Sequence, residues 1–164
     1  MKAPRKKSIT LLGLGNILLG DEGFGVHFLE WFLARYRLPE GVRAVDGGTL
    51  GHGLLDVVCG CERLIVIDVI KVDDTPGSIY RFDRSEMESH MPEPTSAHEV
   101  EFVDVLYQAE LMDQCPETQF LLIVPENYAD MEIKMSPVMI DGFSGMEGVL
   151  LEALSNFGIH PAKS

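Results

Sequence analysis

Carboxylates at the ends of apolar runs are the residues of this sequence best placed to do chemistry. The stretch Ile9–Gly25, ITLLGLGNILLGDEGFG, opens as a continuous apolar run, turns through Gly13 and Gly15, and arrives at Asp21 and Glu22. Asp46 opens a glycine turn, Asp46-Gly47-Gly48-Thr49, and Asp68 interrupts the apolar run Leu64–Ile70 near its end. An acid inside Leu-Ile-Val-Ile is costly to bury unpaired, so Asp68 demands a specific partner or a function. Carboxylates together with histidine suit a divalent ion such as zinc or nickel, and an incomplete ligand set leaves room for substrate or water. Of the five histidines, His27 lies about 140° around a helix from Glu22, at ~100° per residue, and reads as structural. His90 falls in a polar loop and His160 in the closing residues. His52, just after the Asp46 turn, and His98, in the first turn of a helix, both stay open as partners of the acids.

The elements that would position these groups alternate between strand and helix. Ser8–Leu14 reads as a buried strand. Asp21 is expected to cap a helix whose apolar positions are Val26, Leu29, Leu33 and Tyr36, stopped by Pro39 and Gly41. Val42–Val45 forms a short second strand, Leu54, Leu55, Val57 and Val58 a second helix, and Leu64–Ile70 the strongest strand. Ser78–Phe82 follows after too short a gap for a helical crossover, so antiparallel geometry is expected between these two strands. Ser85–Thr95 reads as an acidic loop. Ser96-Ala97-His98-Glu99 matches a capping box, opening a helix with Val100, Val103, Leu106 and Tyr107 on one face. Phe120–Val124 is the last strand, and Ser136-Pro137 starts a closing helix whose glycines 142, 145 and 148 weaken its first half. The alternation predicts a single α/β domain of three layers with a mostly parallel sheet, residues 1–7 and 159–164 forming tails. In such sheets ligands bind beyond the C-terminal strand ends, where strand order reverses. If the first strand lies between the second and third, Glu22, Asp46 and Asp68 converge there.

Composition excludes several function classes. The net charge of −13 repels a nucleic-acid backbone, and no run approaches the ~20 apolar residues of a membrane span. Lys2, Arg5, Lys6 and Lys7 before Ile9–Leu19 imitate a secretory signal, but Gly13, Gly15 and Asn16 break the run and Asp21-Glu22 follows it. Cys59, Cys61 and Cys115 lack zinc spacing and read as reduced thiols of a cytoplasmic protein. A dinucleotide site is weakly indicated. Gly13-Leu14-Gly15 is followed by Leu18 where the third glycine is needed, and two acids stand where a pyrophosphate needs bare amides, although Asp46 imitates a ribose-binding acid. Nucleophilic chemistry has little support, since no serine sits in a strand–turn–helix elbow and there is no H-E-x-x-H.

Together, Gly13-Leu14-Gly15-Asn16, Leu19-Gly20-Asp21-Glu22-Gly23, Asp46-Gly47-Gly48-Thr49, Ile67-Asp68 and Ser96-Ala97-His98 resemble the nickel–iron hydrogenase maturation endopeptidases, in order from about residue 8 to 158. The resemblance implies an α/β/α sandwich around a five-stranded mixed sheet with one antiparallel strand. It implies an endopeptidase, acting as a monomer, that removes a C-terminal extension from the hydrogenase large-subunit precursor once nickel is inserted. Metal-binding residues map onto Glu22, Asp68 and His98, and substrate recognition onto Asp46 with Gly47, Gly48 and Thr49. Nickel is then carried by the precursor, with zinc or another divalent ion able to replace it in isolation. Asp46 and Asp68 are the candidate general bases. Met131 and Glu132 depart from the family pattern, standing where many members carry glycine. A nickel-delivery protein that does not cleave, and more remotely a nucleotide-binding module, are the competing functions.

Overall fold

In the computed structural model, which describes residues 8–90, 97–127 and 132–164, the first apolar run forms strand β1 (Ile9–Leu14), buried at every residue. The expected basic tail, residues 1–7, lies outside the described residues. A 3₁₀ turn, Gly20–Gly23, leads into α1 (Phe24–Leu33). The helix ends earlier than the periodicity suggests. Tyr36 belongs instead to β2 (Tyr36–Arg37), which pairs antiparallel with β7 (Ala162–Lys163), so the closing residues read as a tail are tied back to the body. The Tyr36 ring stacks on Phe32 at 4.5 Å and its hydroxyl donates to Glu147 Oε1 at 2.5 Å. Both contacts fix it off the helix.

The main sheet is completed by β3 (Val42–Gly48), β4 (Arg63–Val69), β5 (Ile79–Asp83) and β6 (Glu117–Ile123), in the order β3-β1-β4-β6-β5. The first four are parallel, and β5 runs antiparallel to β6. The antiparallel strand is as expected, but its neighbour is not β4. The core strand β4 is buried from Leu64 to Val69 and takes a parallel partner on each side. The second of these, β6, must return through a crossover, and it separates β4 from β5.

Alternation along the strands divides the core. Ile9, Leu11, Ile65, Ile67, Leu121 and Ile123 face α1 and α5 (Pro137–Ser155), whereas Leu12, Leu64, Val66, Phe120 and Leu122 face α2 (Leu55–Cys59) and α4 (Ala97–Leu111). The result is the three-layer α/β/α sandwich around a five-stranded sheet. Its α1 side is aromatic: Phe24, Phe28 and Phe32 are fully buried, and Phe24 and Phe28 lie 5.3 and 6.0 Å from the Phe143 ring of α5. Each such side chain contributes roughly 1.5–3 kcal/mol by leaving water.

Three local expectations are corrected. The acidic stretch after Asp83 begins as a helix, α3 (Arg84–His90), because Asp83 Oδ1 accepts the Glu86 amide at 2.8 Å and the Ser85 hydroxyl at 3.0 Å, an N-cap arrangement. The face of α4 that packs is Phe102, Val105, Leu106 and Ala109, while Val100, Val103 and Tyr107 are exposed; two apolar stripes compete there, and the one with Phe and a close-packing Ala is buried. Helix α5 is continuous through its glycines, because Gly142 lets it settle on Ile123 Cδ1.

The contact that sets the height of α1 above the sheet is at Gly25. A Cβ there would lie 2.1 Å from the Ile67 carbonyl oxygen and 2.4 Å from that of Leu14. Gly25→Ala is therefore expected to lower stability by about 3 kcal/mol, as overpacking against backbone does. Urea unfolding measures it, and an unchanged midpoint would mean that α1 lifts away freely.

Candidate active site

Because β1 lies between β3 and β4, the chain leaves β1 on one side and returns on the other, and a crevice opens beyond their C-terminal ends. Gly13 of β1 pairs with Asp46 of β3 on one side and with Ile67 of β4 on the other, so Asp46 and Asp68 flank the end of the central strand. The loop that brings Glu22 to the same end depends on Gly15. Its φ is +130°, and a Cβ would lie 1.8 Å from the Glu22 carbonyl oxygen, so only glycine lets the loop double back onto the turn. Asn16 holds the return, its side chain accepting the Leu18 amide at 3.0 Å and its carbonyl the Leu19 amide at 3.1 Å.

The three acids sit in different environments. Glu22 and Asp68 are 4% and 6% exposed, whereas Asp46 is exposed. Asp68 Oδ1 accepts the Val69 amide at 2.8 Å, which fixes the carboxylate against its own strand. By alternation it shares the face of Leu64 and Val66, the face covered by α4. Asp46 lies within β3, which runs on through Gly47 and Gly48 rather than ending at Val45, with the register against β1 shifting after Gly13. Thr49 follows exposed, and buried Gly47 packs on Leu12 and Leu14.

His98 is the second residue of α4. Glu101, within the same first turns, lies directly against Gly51 in the 3₁₀ turn that follows β3, so the start of α4 is at the C-terminal edge of the sheet with the acids. The His98 side chain and the Ser96 cap lie outside what is described. Among the described side chains no three His, Cys, Asp or Glu are gathered to hold a metal ion; of the expected set, Glu22 and Asp68 are the two described. The competing histidine, His52, is exposed and stands 3.9 Å from Asp104 of α4. His27 is half-buried with its ring against Gly23.

Two features of the site had no signal in the sequence. Lys71, just past β4, forms an ion pair with Glu22 Oε1, and both side chains are largely buried, at 14% and 5% exposure. Asp21 does not cap α1. It is 1% exposed, and its carboxylate accepts the amides of Glu126 (3.1 Å), Asn127 (2.8 Å) and Ser136 (2.7 Å) and the Ser136 hydroxyl (2.8 Å).

Residues 26–153 match the hydrogenase maturation protease family. This chain belongs to that family. It is 32% identical over 153 residues to the hydrogenase expression/formation protein HupD of Bradyrhizobium diazoefficiens, covering 92% of this chain and 80% of the relative. HupD of Rhodobacter capsulatus is 37% identical over 123 residues, 74% of this chain, and this chain spans only 59% of that relative's length. The structure of the hydrogenase maturating endopeptidase HybD from Escherichia coli superposes with a TM-score of 0.90 at 29% identity, covering 95% of this chain and 97% of that one.

Within this family member the thiols lie away from the crevice. Cys59 ends α2, Cys61 precedes β4 and Cys115 precedes β6, all at the N-terminal edge of the sheet. Burial pushes the thiols of Cys61 and Cys115 up, away from thiolate, although Arg84 beside Cys115 opposes it there. Ser144 lies inside α5, donating to the Asp141 carbonyl at 3.4 Å, and is not on a strand–helix elbow.

The rim of the crevice is fastened by Asp21, which joins both ends of the segment after β6 to the start of α1. The carbonyl of Glu132 lies over Gly20 as part of the same contact, and Met131 lies outside the described residues. Asp21→Asn places an amide among four donors and removes the charge that strengthens them. It is expected to cost roughly 2–4 kcal/mol and to speed amide exchange at Asn127 and Ser136 more than in β6. Unchanged exchange at those two amides would show that other contacts hold the segment.

Proposed function

We propose that this chain is an endopeptidase that removes the C-terminal extension of a nickel–iron hydrogenase large-subunit precursor after nickel insertion, recognising the nickel through Glu22, Asp68 and His98. The observation that carries the proposal is the burial of two carboxylates, Glu22 and Asp68, at the C-terminal edge where β1 parts its neighbours, with the start of α4 at that same edge. Two carboxylates gathered out of water at one strand end favour a cationic visitor over an anionic one, even with Lys71 beside Glu22, and family membership supports a hydrogenase precursor as its source. The nickel arrives as part of the substrate, held by the precursor's own cysteine thiolates, and the three side chains complete its coordination. Only a loaded precursor then docks productively.

Cleavage is a hydrolysis. A water oxygen adds to the scissile carbonyl carbon, a carboxylate takes the water proton as base, the C–N bond breaks, and the departing amine takes that proton from the carboxylic acid so formed. Two carboxylates at the edge are available as base, Asp46 exposed on β3 and Asp68 buried on β4. The Asp46-Gly47-Gly48-Thr49 segment, an irregular strand end beside β1, supports a role in seating the substrate backbone. The enzyme is proposed to act as a monomer in the cytoplasm. None of the described helices is long and apolar enough to cross a membrane.

The test is incubation of wild type and His98→Ala with precursor prepared with and without nickel, the released peptide being read by mass spectrometry. Cleavage by wild type only with nickel, and a loss of at least ~100-fold in the variant, a size typical of removing a positioned catalytic or binding group, is expected. Nickel binding without any released peptide would identify a delivery protein instead. The triple variant Cys59→Ala, Cys61→Ala, Cys115→Ala is expected to process precursor within about threefold of wild type, well short of the ~100-fold loss of a catalytic group; loss of processing in a folded triple variant would restore a thiol nucleophile.

A further inference from the structure

We propose that Lys71 is a charge stand-in at the metal-recognition site, neutralising Glu22 in the resting protein and giving way to nickel only when it arrives on the precursor. The proposal rests on Glu22 meeting nickel, as above, and adds a residue that makes the site selective for thiolate-bound nickel over free divalent ions.

The placement of Lys71 is specific. Its backbone follows β4 directly, where the Ile70 amide donates to the Ile123 carbonyl at 2.9 Å and the Ile70 side chain is buried. From that anchored position the side chain crosses the end of β4 to reach Glu22 in the turn before α1. The Glu22 side chain is only 5% exposed, and a carboxylate so buried calls for a counter-charge, which Lys71 supplies from within the chain. Lysine suits a temporary partner. It is a compact point charge on a flexible four-carbon stem, able to swing outward, whereas arginine would lock a carboxylate through two parallel hydrogen bonds.

The same ammonium opposes a bare divalent ion. A free ion reaching Glu22 adds two positive charges beside one already present, in a site with little water to screen them. Nickel held by precursor thiolates brings its own negative charge, and the displaced ammonium can turn toward it. Such discrimination matters for a chain of net charge −13, whose overall field concentrates free cations at its surface.

The experiment is calorimetric titration of the full chain, without precursor, with Ni²⁺ and then Zn²⁺, comparing wild type, Lys71→Met, Lys71→Arg, Glu22→Gln and Lys71→Met combined with Glu22→Gln, with Glu22→Gln also run in the precursor-cleavage assay. Lys71→Met is expected to bind the free ion at least ~10-fold more tightly than wild type, given the strength of close charge–charge interactions in a poorly screened site. Lys71→Arg is expected to stay as weak as wild type, and the double variant to lose the gain. Should Lys71→Met fold poorly, Lys71→Gln, which keeps a donor for Glu22 without the charge, gives the same comparison by titration and by the metal-induced rise in melting temperature. Affinity unchanged on removing the Lys71 charge, while Glu22→Gln still weakens binding, would overturn the stand-in and leave the metal site intact. Ion binding and nickel-dependent cleavage both indifferent to Glu22→Gln would overturn the metal-recognition proposal itself, and this one with it.

Discussion

Two adjacent carboxylates, Asp21 and Glu22, are buried at the front of α1, and each has to be neutralised by a different part of the chain. A buried charge left unpaired costs several kcal/mol, comparable to a large share of the stability of a domain this size. Asp21 meets that cost with three amides and a hydroxyl from the segment after β6, and Glu22 meets it with Lys71 from the loop after β4. Loops after β1, β4 and β6 are thereby tied together at one edge of the sheet. None of them can move or change length without exposing or orphaning a charge.

The sheet supplies the stiffness those loops lack. Asp46 and Asp68 are placed by hydrogen-bonded register, through Gly13↔Asp46 and Gly13↔Ile67, rather than by loop conformation. Glu22 reaches them because Gly15 allows the loop to fold back and Gly25 allows α1 to lie on the carbonyls of Leu14 and Ile67. The glycines of the first loop are thus requirements of close approach between backbones. They resemble a nucleotide fingerprint because the same strand–turn–helix geometry underlies both, but the acids that follow change what the turn can hold.

Where the sequence was legible, a single local pattern decided the outcome. Continuous apolar runs identified β1, β4 and β6, and the acid inside the β4 run identified Asp68. The placement of Glu22 followed from its position after the glycine loop. The failures are non-local. The hydrogen-bond partners of Asp21 lie 105 to 115 residues away, so a capping role was the nearest available explanation for an acid before a helix. Lys71 had no pattern to mark it, since a lysine after a strand is ordinarily a solvated residue. Helix α4 carries two apolar stripes, and only packing against α2 and the Gly51–Leu54 turn selects between them. The neighbour of β5 depended on a strand that had not yet appeared in the chain.

Burial also divides labour among the acids in the proposed reaction. Glu22 and Asp68 are removed from water and held, one by an ammonium and the other by the Val69 amide, and in the proposed reaction they are the acids that meet the metal. Asp46 projects from the end of β3 into solvent and is free to turn toward a water molecule. A site in which metal recognition uses the dry acids, and proton transfer uses a wet one, keeps the two tasks from competing for the same oxygen atoms. Under the proposed function, the dry acids are occupied within the chain until a nickel-bearing substrate arrives.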